Sequence, residues 1–87
     1  VLENETELRL LNFENNAISR IRHLDGLHNL IFLDLYNNQI SAIEGLEAVP
    51  SIRVLMLGRN KIRKIGGLDN CKQLDVLDLH ANRLTGC

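Results

Sequence analysis

The sequence predicts an α/β solenoid, a stack of short coils whose strands align into one parallel sheet. Two observations carry this. The chain repeats every 22 residues without an insertion, and an Asn stands at the ninth place of each unit: Asn16, Asn38, Asn60 and Asn82. A fixed period in the twenties marks a stacked-repeat architecture, and such stacks usually serve as binding surfaces rather than enzymes. The coils are Leu8–Asn29, Leu30–Ser51, Ile52–Gln73 and a partial unit Leu74–Cys87, with residues 1–7 ending a preceding coil.

Each coil opens with a strand. The fourth place (Leu11, Leu33, Leu55, Leu77) and the sixth (Phe13, Leu35, Leu57, Leu79) alternate with variable residues, which is the period of a strand with one buried face. The ninth-place Asn follows, where the chain leaves the strand and its backbone amides turn inward. Buried backbone donors and acceptors must be paired, and an Asn side chain offers both a donor and an acceptor. A stack of Asn is therefore expected to satisfy the turn of its own coil and of the next.

The return path comes last. Apolar residues recur at the eleventh place (Ile18, Ile40, Ile62, Leu84), the fourteenth (Ile21, Ile43, Ile65, Cys87), the seventeenth (Leu24, Leu46, Leu68) and the twentieth (Leu27, Val49, Cys71). Steps of three suit 3₁₀ or short helical turns, where side chains three apart share a face.

At 87 residues, the chain is one structural unit with a Leu/Ile core: 45% of residues are hydrophobic and only 3% aromatic. The net charge of −1 gives no bulk pull toward nucleic acid or a membrane, and no apolar run approaches a membrane span. Leu2 falls on the seventeenth place of an earlier unit and Cys87 stops a unit at its fourteenth, so more coils are expected on one or both sides. Cys71 and Cys87 both fall on core places and are expected to be small apolar core residues rather than a disulfide or half a metal site.

Function is expected on the outward places of the strands, which period two turns to one concave face. Place three carries Leu10, Phe32, Val54 and Val76; place five Asn12, Asp34, Met56 and Asp78; place seven Glu14, Tyr36, Gly58 and His80. Phe32, Asp34, Tyr36, Met56, Asp78 and His80 are the candidate protein-binding residues. A second candidate is a basic edge, Arg59, Lys61, Arg63 and Lys64, with Arg20 and Arg22 along the first return path. Such an edge suits acidic protein tails or phosphates, although the lack of interleaved aromatics argues against nucleic acid.

Catalysis is not expected. Asp34 and Asp78 lie two coils apart, about 10 Å at strand spacing, too far to share a proton. No Ser, Thr or Cys nucleophile joins Asp78 and His80 on the concave face. His23, His28 and His80 occupy different places of the repeat and do not converge, so neither a metal nor another cofactor is expected.

The units resemble leucine-rich repeats of the 22-residue, phosphatase-regulator-like subclass, from Leu8 to Cys87. That resemblance implies a right-handed curved solenoid, parallel strands on the concave face, 3₁₀ turns on the convex face, and intracellular protein binding. The strings LRLLNF, LIFLDLYNNQI, IRVLMLGRNKI and LDVLDLHANRL are further similar to the leucine-rich repeat subunits of tubulin polyglutamylase complexes. The similarity includes Asp34, Tyr36, Gly58, Asp78 and His80, which repeat architecture does not dictate. It implies a non-catalytic scaffold whose partners are the subunits of a tubulin-modifying complex and tubulin itself. It also implies a cytoplasmic place at the cytoskeleton, centriole or cilium. The alternatives are a regulator gripping a protein phosphatase catalytic subunit, or an axonemal or dynein-associated repeat protein. No small-molecule substrate and no membrane partner are expected.

Overall fold

The computed structural model describes residues 7–85. Four strands of three residues each, β1 (Leu10–Asn12), β2 (Phe32–Asp34), β3 (Val54–Met56) and β4 (Val76–Asp78), lie side by side in chain order in one parallel sheet. The register advances by one repeat at each step, pairing Leu11 with Leu33, Leu33 with Leu55 and Leu55 with Leu77. A slip of one residue would turn these leucines into water, so the buried face fixes the register. The ladder runs past the strand ends: Leu35 N–H donates to Met56 O and Leu57 N–H to Asp78 O, both at 2.8 Å.

The return paths hold one 3₁₀ helix, Leu46–Ala48, and otherwise three-residue turns. In each, the twentieth-place amide donates to the seventeenth-place carbonyl: Leu27 to Leu24 at 3.3 Å, Val49 to Leu46 at 3.0 Å and Cys71 to Leu68 at 3.0 Å. The apolar step of three is thus the step of the hydrogen bonds. Gly45 and Gly67, at place sixteen, adopt φ of 77° and 68°. A Cβ on either would penetrate the preceding coil's carbonyl, Ile21 O or Ile43 O. Only glycine lets neighbouring coils approach this closely here.

The ninth-place asparagines stitch the coils together. Asn60 Nδ2 donates to Leu57 O at 3.1 Å and Gly58 O at 3.1 Å in its own coil and to Leu35 O at 3.0 Å in the coil before. Its Oδ1 accepts from Ile40 N–H at 3.0 Å. Asn38 and Asn82 make the same set one coil earlier and one coil later. The link runs to the preceding coil, not the next. A left-handed residue at place eight precedes each Asn (Asn15, Asn37, Arg59, Ala81; φ 55° to 61°).

The core is deepest in the two middle coils, where Leu33, Ile40, Leu46, Val49, Ile52, Leu55, Leu57 and Ile62 have no more than 1% of their surface exposed. Cys71 is a free thiol in this core, and burial, then Glu47, pushes its pKa up. Cys87 and residues 1–6 lie outside the described residues. Two core-place residues depart from expectation: Ile65 is 62% and Leu84 41% exposed. A residue at these places is covered by the following coil, and none is described beyond them.

Candidate functional site

Strand alternation sends places three, five and seven to one face. The place-three row forms an apolar ridge, half-buried at Phe32 and Val54 and open at Leu10 and Val76 (56% and 48% exposed). Asp34, Met56 and Asp78 beside it are half-buried.

The place-five side chains also hold the backbone, which the sequence pattern alone did not reveal. Asn12, Asp34 and Asp78 each accept, through Oδ1, from the amide two residues on: Glu14 at 3.0 Å, Tyr36 at 3.0 Å and His80 at 3.2 Å. These are Asx turns, for which the short carboxylate or amide arm is suited. Met56 interrupts the series because a thioether chain carries no such oxygen. The signal was legible, since Asn or Asp recurs at place five in three of the four coils.

Tyr36 and His80 come from coils two apart, yet their rings meet. The centroids are 5.6 Å apart and the planes inclined at 33°. Gly58 makes this contact. It occupies place seven of the coil between them and has no side chain. The His80 ring leans into the vacant volume so far that a Cβ on Gly58 would fall 2.5 Å from its Cε1. His80 Nδ1 lies 2.7 Å from Asp78 Oδ1, and this hydrogen bond holds the Asp78 carboxyl below its ordinary range. The outcome is a tilted aromatic pair with an anchored carboxylate beside it, over a buried glycine floor.

The basic edge lies beside this face. Arg59, Lys61, Arg63 and Lys64 are all exposed. Arg83, which the sequence reading passed over, joins them at the same repeat place as Lys61. Arg20 behaves differently: its Nε lies 3.1 Å from Glu44 Oε2. It and Arg22 border a cleft of about 310 Å³ that Asp25, Glu44 and Glu47 also line, so charge there is mixed. No cluster of three or more His, Cys, Asp or Glu among the described residues is arranged to hold a metal ion. No described helix is long and apolar enough to cross a membrane.

Residues 6–48 match the family model of leucine-rich repeats, in two copies. No curated protein matches the chain. Among solved structures, internalin C2 of Listeria monocytogenes is similar with a TM-score of 0.86 and 29% identity, over 98% of this chain and 38% of its own. The chain thus spans well under half the length of that relative. Leucine-rich repeat folds are generally non-enzymatic scaffolds that bind other proteins, and no catalytic family is indicated.

Proposed function

We propose that this leucine-rich repeat solenoid is a non-catalytic scaffold that binds a protein partner on the outer face of its sheet, as a subunit of a tubulin-modifying, polyglutamylase-type complex. The observation that carries the binding face is the Tyr36–His80 pair over Gly58, with Asp78 fixed beside it. The Asp78 carboxylate also closes a turn, but the fold does not need the Tyr36 and His80 rings on its outward surface. An aromatic pair held rigid beside a carboxylate and an apolar ridge loses little conformational entropy on binding, which is the character of an interface anchor.

The polyglutamylase assignment rests on the residues at outward-facing places that resemble that family: Asp34, Tyr36, Gly58, Asp78 and His80. Four of the five, all but Asp34, form the cluster just described. A scaffold of this kind holds a separate ligase subunit near tubulin and belongs in the cytoplasm, at microtubules, centrioles or cilia. The test is capture of partners from cell extract by the full-length protein, read by mass spectrometry, with Tyr36→Ala/His80→Ala as control. Recovery of a ligase-like subunit and tubulin, lost with the double variant, is the expected result. Recovery of a phosphatase catalytic subunit in their place would overturn the complex and leave the binding face standing.

A further inference from the structure

Three neighbouring loops follow the strands, at residues 37–43, 59–65 and 81–85. They contain five cations, Arg59, Lys61, Arg63, Lys64 and Arg83, and no carboxylate. The whole chain has 10 Lys and Arg against 11 Asp and Glu, so half of its positive charge is gathered where none of its negative charge lies. The ladder brings the cations together across coils. Lys61 N–H donates to Ile40 O and Arg83 N–H to Ile62 O, each at 2.8 Å, which sets these two residues at matching places on adjacent coils. Thr85 N–H donates to Arg63 O at 3.1 Å, which closes the edge below them. The ion pairs found among the described residues use Arg20, Arg53 and His80, and none of these five. Charges about 5 Å apart lie within one screening length at physiological salt, so the edge acts as a single positive field.

We propose that this edge is a docking site for an acidic peptide segment in extended conformation. The backbone at Arg59, Lys61 and Arg83 does not favour a compact phosphate. The amides of Arg59, Lys61 and Arg83 are committed to His80, Ile40 and Ile62 carbonyls, so they cannot form the cradle of N–H groups that holds a phosphate. The site offers side-chain cations spread over two coils, which fits carboxylates spaced along a strand. The three loops contain no aromatic residue on which bases would stack. This site adjoins the sheet face, since Arg59 N–H donates to His80 O, but uses different side chains and does not depend on which partner sits there.

Fluorescence anisotropy of the full-length protein with a labelled Glu-Ser repeat peptide tests it, alongside the matching Gln-Ser peptide and a single-stranded oligothymidylate. The Glu peptide should bind with an affinity that falls as salt rises, and the Gln peptide should not bind. Lys61→Ala/Arg63→Ala/Arg83→Ala should weaken binding about tenfold, from three exposed charge contacts. All three side chains are exposed, so the variant keeps its fold, which circular dichroism verifies. Tyr36→Ala/His80→Ala should leave peptide binding unchanged, which separates this site from the sheet face. No binding of the Glu peptide, equal binding by the triple variant, or tighter binding of the oligothymidylate would each overturn the proposal.

Discussion

A single ninth-place Asn closes hydrogen bonds in two coils, so its worth depends on where it stands in the stack. Asn60 is buried and pairs three carbonyls and one amide. Asn16 is exposed and, among the described residues, reaches Phe13 O and Glu14 O of its own coil. Asn60→Ala should therefore cost about 1–3 kcal/mol, from backbone groups left unpaired away from water. Asn16→Ala should cost clearly less, because water replaces its bonds. Thermal melts of the two variants compare them directly, and equal losses would remove the inter-coil role. At this scale the identity of the Asn was legible from its strict recurrence. Its direction was not, because an Asn side chain carries donors and an acceptor that could serve either neighbouring coil. Asp78 has a pH signature of its own. Its folded pKa is depressed by the His80 hydrogen bond, so its contribution is fully present above the ordinary carboxylate range and lost as pH falls through the lower folded value. The melting-temperature gap between wild type and Asp78→Asn should hold near neutrality and shrink on acidification below that range. A gap that stays constant into strong acid would contradict the His80 contact in solution.

The coil is the element of this fold, and its tightest point is place sixteen. Gly67→Ala forces a side chain toward Ile43 O at a φ of 68°, against backbone that cannot swing aside. Strain and displacement together should cost about 2 kcal/mol or more. A Cβ on neighbouring Gly66 would meet nothing within 4 Å, so Gly66→Ala should lie within about 0.5 kcal/mol of wild type. Denaturant unfolding of the pair measures the difference, and similar values would show that coils do not approach as closely as described. Strand, turn and return path were each legible, because alternation and the step of three report directly on which side chains a coil must bury. The apparent core residues Ile65 and Leu84 were not legible as exposed, since the periodicity describes a coil with a neighbour after it.

For the whole molecule, the stack converts a one-dimensional repeat into a surface whose neighbours are 22 residues apart in sequence. Asp34, Tyr36, Met56, Asp78 and His80 were legible as facing one way from alternation alone. The meeting of Tyr36 with His80 was not, because strand spacing places coils two apart at about 10 Å. The contact arises from the missing side chain of Gly58, a cue that only the three residues together provide. The basic edge was half legible: its four cations Arg59, Lys61, Arg63 and Lys64 stand together in the sequence of one coil, while Arg83 joins them from the next coil only through the ladder. The central claim is that this sheet face, rather than the fold beneath it, carries partner affinity. Its most direct test is the dissociation constant of the captured partner for the full-length protein against Tyr36→Ala/His80→Ala, measured with the melting temperature of both. A loss of about tenfold or more with an essentially unchanged melting temperature is the expected result, since two ring anchors are removed from the surface and nothing from the core. An unchanged dissociation constant would contradict it and move the contact to the basic edge or the return-path side.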